Sequence, residues 1–271
     1  MTAAVSFPLA PYSIAPAQAQ GHVHGAVKAD VALKDGAVKP EMGGESGEGS
    51  AGKANADARL EPTVRFYRDI QLVRGHILVG NELVSAGLWA DALPHFLHPV
   101  EELYDGLATP LKVRNSKPFL QQLKALAQTV KAKNKSAYDA ALLALNAKLD
   151  LIDAGLKTEK ADWMPFAVDT ALETMRSAIG EYTESIEGGH FAKAVEYQDS
   201  RGFVLQADLL LASVTPALTA KDPGIAAKMR AGMDTLKRAW PSPVPPAAVI
   251  DDASKVAANI SKLELALGNI K

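Results

Sequence analysis

The chain has 271 residues with 29 Lys and Arg against 31 Asp and Glu, a formal net charge of −2, and 48% hydrophobic residues. That balance offers no basic surface for a phosphate backbone, so no nucleic-acid partner is expected. Cysteine is absent, which excludes disulfides, thiolate metal sites and a cysteine nucleophile. No apolar run approaches the roughly 20 residues that span a bilayer, so the chain is read as not membrane-spanning.

Residues 3–15 are mostly small and apolar, and Ala17-x-Ala19 has the small-x-small form of a signal-peptidase site. A basic n-region is missing and Pro8 and Pro11 interrupt the run, so residues 1–19 read as a leader remnant. Residues 20–58 are rich in Gly, Ala, Lys and Glu around Gly43–Ser50. They hold too few large apolar side chains to offset the entropy of ordering, which predicts a disordered linker. His22 and His24 in that tail read as solvated residues.

From Leu60 onward apolar residues recur at helical spacing. Ile70, Val73, Ile77, Gly80 and Val84 form one stripe; Leu120, Leu123, Leu126 and Val130 another; Leu142, Leu145, Leu149, Ile152 and Leu156 a third. Val168, Leu172, Met175, Ile179, Tyr182 and Ile186 follow, then Ile225, Met229, Met233, Leu236 and Trp240, then Val256, Ile260, Leu263, Leu267 and Ile270. Glycines and prolines at 87, 110, 118, 155, 188–189, 223–224 and 241–246 separate the stripes. The predicted fold is all-α, an up-and-down arrangement of about eight or nine helices.

A shift of 102 positions lays Arg74, Ile77, Glu82, Gly87, Trp89, Ala90 and Ala92 on Arg176, Ile179, Glu184, Gly189, Phe191, Ala192 and Ala194. The simplest account is an internal duplication giving two similar bundles, residues 59–157 and 158–271, facing each other across a cleft.

The chemistry concentrates in residues 88–105. There His98, Glu101, Glu102 and Asp105 stand at i, i+3, i+4 and i+7, one face of a helix. Pro99 should push His98 out of the α region and make the helix kink or restart. The shift carries His95 and His98 onto Tyr197 and Ser200, so the second half lacks the histidines but offers Glu196 and Asp199. If the halves face each other, His98 and Glu101 meet Glu196 and Asp199. That mixed nitrogen and oxygen set suits a divalent ion such as zinc, iron or copper. His95 and His76 read as packed histidines, His190 as a loop residue, and Trp163 and Trp240 as inter-helix packing. Arg176 and Arg201 read as ordinary ion-pair residues. No hydrolase elbow, phosphate loop or zincin motif is present, so no catalytic and no organic-cofactor residues are assigned.

With its His98-Pro-Val-Glu101 segment, all-helical pattern, apparent duplication and export-like leader, the chain resembles the imelysin-like family. The match departs from the family's Gly-x-His-x-x-Glu motif in having Phe96 where the glycine would stand. The resemblance carries His98 and Glu101 over as functional residues. It implies a periplasmic or cell-surface protein, either of the iron-uptake kind, with a membrane transporter or cell-surface partner, or a metallopeptidase. The reading favours an exported metal-binding protein concerned with iron or other divalent-metal uptake, more a carrier than an enzyme. The alternatives are a metallopeptidase and a metal-free glycan- or protein-binding module in the cleft.

Overall fold

The structure is a computed structural model and describes residues 59–268 and 270. The expected leader and linker, with His22 and His24, lie outside the described residues. The fold is all-α, as the apolar periodicity predicts. In chain order the helices are α1 (Pro62–Ser85), α2 (Trp89–His98), a π-helical turn (Pro99–Leu103), α3 (Tyr104–Val113), α4 (Leu120–Lys131) and α5 (Lys135–Glu159). Then come α6 (Trp163–Ser185), a two-strand hairpin of β1 (Ile186–Glu187) and β2 (His190–Phe191), α7 (Ala194–Lys221), α8 (Pro223–Leu236), a 3₁₀ turn (Lys237–Ala239) and α9 (Ala253–Leu267).

Long helices α1, α6 and α7 pack on one another at the centre. Helices α2, α4 and α5 extend from α1 on one side, and α8 and α9 cover α6 and α7 on the other. Most of the predicted stripe residues are buried, including Ile70, Val73, Met175, Met229, Met233 and Ile260, and Leu120, Leu142, Ile179, Ile186 and Ile225 are partly buried against them. Helix starts follow side-chain chemistry. Glu61, Asn134, Asp222 and Asp252 each accept a hydrogen bond from a backbone N–H in the first turn of α1, α5, α8 and α9.

Two reversals set the topology. Gly87, at φ +79, closes α1, with Leu88 N–H donating to the Leu83 carbonyl. Only a residue tolerant of the left-handed region can end a helix this way. Gly188 and Gly189, both at positive φ, form the two-residue loop between β1 and β2 and turn α6 into α7. Moved along by 102 positions, Gly87 falls on Gly189, α1 on α6, the run from α2 through α3 on α7, and α4 on α8.

Helix α7 was not marked by a stripe, and the reason is its surroundings. It packs on α1, α6 and α8, so its apolar residues are spread around the axis. By length and composition alone it is long and apolar enough to cross a membrane, although polar residues interrupt its apolar run. Here twelve of its residues, Asp199 among them, are buried against neighbouring helices.

A candidate metal centre at the crossing of three helices

The Gly87 reversal makes α1 and α2 an antiparallel pair. His76 stands eleven positions before Gly87 and His98 eleven positions after it. At about 1.5 Å per residue both reach the same level, with His95 one turn away. Helix α7 then arrives against α1. At the crossing, a Cβ on Gly75 would lie 3.0 Å from the Gly202 carbonyl carbon and 2.7 Å from the Phe203 ring, and one on Gly202 would overlap the Gly75 carbonyl oxygen. The absence of side chains at both positions brings the two backbones into contact. Gly80, five residues on, makes room for α2 instead, where the side chains of Phe96 and His95 fill the space a Cβ would need.

Five successive residues of α7 are used at this crossing. The Gln198 Oε1 faces His95 Nε2 at 2.9 Å. The Asp199 carboxylate meets three imidazoles. His76 Nδ1 and His95 Nδ1 approach Oδ1 at 2.6 and 2.7 Å, and His98 Nδ1 approaches Oδ2 at 2.9 Å. Ser200 Oγ accepts from Trp240 Nε1–H at 2.7 Å. Arg201 grips Glu82 of α1 through two bonds of 2.9 and 2.8 Å, and a third nitrogen donates to the Trp240 carbonyl. Gly202 makes the backbone contact. A helix can spend five consecutive residues this way only if it is enclosed on most sides.

The cluster is buried in a graded way. Side-chain exposure is 0% at His95, 4% at His76, 3% at Asp199 and 23% at His98. Burial by itself would raise Asp199. The charge of His76 and hydrogen bonds from His76, His95 and His98 outweigh it and hold the carboxyl well below its usual range. An ionised carboxylate only accepts, so each facing Nδ1 carries a proton in the metal-free protein. The Asp199 bond pushes His98 up to about 9 against partial burial, and Glu102 and Glu196 add to the rise.

The sign of the His98 shift fixes a pH dependence. Because the folded-state value is raised, its stabilisation is complete below about 6.5 and is lost as pH rises through about 9. After allowance for water at the exposed edge of the ring, the loss should be about 1–2 kcal/mol. Chemical denaturation of metal-free protein between pH 6.5 and 9.5 should show it, and His98→Gln should flatten that slope.

Of the four residues proposed from the sequence, His98 and Asp199 meet directly. Glu101 is exposed and makes no hydrogen bond or ion pair among the described residues. Glu196 is half-buried, one turn before Asp199, and acts on His98 through its charge. The expected departure of His98 from the α region does not occur. Its φ and ψ are −51° and −45°, and the disruption by Pro99 is taken up downstream, where the π turn closes with Tyr104 N–H on the Pro99 carbonyl. His76 and His95, read as packed histidines, are packed, and both join the cluster. A histidine at a core-facing position of the α1 stripe was the available signal for His76.

A ring nitrogen each of His76 and His95 and an oxygen of Asp199 all lie within 4.8 Å of one another, so together they could hold one metal ion. The donor set fits. Two imidazoles and a carboxylate suit borderline divalent ions, ferrous iron included, and not the hard ions that prefer oxygen alone. Gln198 Oε1 accepts the remaining His95 proton, as an outer-shell partner does for a metal-bound imidazole.

Residues 158–270 match the model of the iron permease-associated 4-helix bundle domain. No curated protein and no solved structure matches the chain. The matched residues contain α6 to α9 and so include Asp199 and Gln198. The three histidines come from α1 and α2, which precede it. The match points to a helical protein related to iron uptake.

Proposed function

We propose that the protein binds ferrous iron as a component of an iron-uptake system, with His76, His95 and Asp199 as ligands. The convergence of two buried imidazole nitrogens on one oxygen of a buried carboxylate supports this most directly. The iron permease-associated domain match supports the choice of metal and implies a membrane transporter as partner. On this reading the ion replaces the Nδ1 protons of His76 and His95, while His95 keeps its Nε2–H on Gln198. Uptake therefore releases protons.

Export to the periplasm or cell surface, kinship with imelysin-like proteins and an ancestral doubling of the bundle belong to the same reading. The register of α1 to α4 with α6 to α8 favours the doubling. At the positions equivalent to His95 and His98, the second half holds Tyr197 and Ser200. These are tied instead to the Ser242 carbonyl and to Trp240. The doubled chain would thus carry one site.

Anaerobic calorimetry with ferrous iron, and with cobalt(II) as a spectroscopic stand-in, tests the assignment. Micromolar or tighter binding is expected, with proton release in weak buffer. His76→Ala or His95→Ala should weaken it by about a hundredfold or more. Binding no tighter than millimolar, or unaffected by both substitutions, would remove the proposal.

A further inference from the structure

Resting on that reading, we propose that His98 is the exchangeable member of the cluster. It takes the incoming cation on Nε2 at the protein surface, where Glu102 and Glu196 draw it in and water carries off the displaced Nε2 proton, and it regains a proton as it passes the cation to His76, His95 and Asp199 behind it.

Three observations carry the assignment. The first is position. His98 alone in the cluster reaches water, and it is bonded to Oδ2, the carboxylate oxygen that His76 and His95 leave free. Its ring centre lies 5.5 Å from that of His76 and 6.3 Å from that of His95, so a cation released by His98 has little distance to cover. The second is backbone. His98 ends α2 and borders the π turn. Pro94 and Pro99 lack the N–H groups that would have bonded the Ala90 and His95 carbonyls. A helix end missing two rungs opens at lower cost than the interiors of α1 and α7, which hold the other ligands. The third is charge. Glu102 is exposed and Glu196 half-buried, and both bear on the His98 ring. Carboxylates around the accessible edge of a site raise the local cation concentration and its arrival rate.

A relay residue and a plain ligand differ in what their loss does. Affinity depends only on the free and loaded end states, so removing a relay slows arrival and departure by the same factor. Removing a ligand chiefly speeds departure. Stopped-flow absorbance with cobalt(II) and the full chain separates the two. In His98→Ala, association and dissociation should both slow by about tenfold, with Kd moving less than about fivefold. In the double variant Glu102→Gln with Glu196→Gln, association should slow by several-fold, and its fall with added salt should flatten. The glutamate pair is off the core, so this arm remains if His98→Ala does not fold.

A His98→Ala protein that loses affinity as His76→Ala does, with an unchanged association rate, would make His98 an ordinary ligand and end the relay. So would a glutamate pair without effect on association. Wild-type protein that takes up no cobalt tighter than millimolar would instead overturn the metal site itself.

Discussion

Replacing Asp199 with Asn should cost the metal-free protein about 3–5 kcal/mol, the range for removing one partner of a buried charged set. The substitution keeps the shape of the side chain and removes its charge. Three Nδ1–H donors that converge within 2.6 to 2.9 Å of the two carboxylate oxygens would then face one carbonyl oxygen and one NH₂ group. An NH₂ opposite an N–H leaves both without an acceptor, and none of these groups except His98 can turn to water. At roughly 2–4 °C per kcal/mol for a domain of this size, the melting temperature should fall by roughly 10 °C. Metal affinity should be lost together with the stability. A drop below about 1 kcal/mol would show that the imidazoles find other partners. Acid should act the same way on the parent chain. The depressed Asp199 gives stability that is complete above its ordinary range and disappears as pH falls through its lowered value.

The second large effect concerns a residue with no chemistry. Gly202→Ala adds one methyl group, which would overlap the Gly75 carbonyl oxygen on α1. Backbone is on both sides of the contact, so no rotamer change relieves it, and the helices have to separate. Overpacking of this kind costs about 1–3 kcal/mol, acting against a gain of up to about 1 kcal/mol from alanine's better helix propensity. We expect a net loss of about 1–2 kcal/mol by urea denaturation. Metal binding should weaken too, because separation at Gly202 carries Asp199, one turn away, off His76. Gly180→Ala is the control. A Cβ there meets nothing within 4 Å, so the same substitution should stabilise α6 by about 0.5–1 kcal/mol. Two glycine-to-alanine changes in neighbouring helices, opposite in sign, would locate the cause in the contact and not in the residue type.

Amphipathic helices announce themselves because one face is wet, and α1, α4, α5, α6, α8 and α9 were each visible as a stripe. Helix α7 was not, since it is enclosed by three neighbours and has no consistent wet face. It is also the helix that carries Asp199. The site was half legible. His98 and Asp199 came together through the suspected register between the halves, and the structure places them 2.9 Å apart. His76 and His95 were passed over because a buried histidine with satisfied nitrogens looks the same in sequence whether its partner is a carbonyl or a shared carboxylate. Proximity across 123 residues, as between His76 and Asp199, is a tertiary fact. Gly75 and Gly202 gave no sign either, because a glycine is informative only once its opposite number is known. The π turn was anticipated as a break at Pro99, though its placement was not. Proline names the carbonyls that go unbonded and leaves the chain several ways of rejoining its ladder.

The division of the cluster between α1–α2 and α7 has a consequence for relatives. A protein sharing only the part of this chain from Thr158 onward would inherit the acid and none of the bases. Its aspartate, with no imidazoles to steady it, would face selection to become neutral or to drift to the surface. Chelating capacity in such a lineage could then vanish while the bundle itself endured, so whether a relative shares this site would be read from counterparts of His76 and His95.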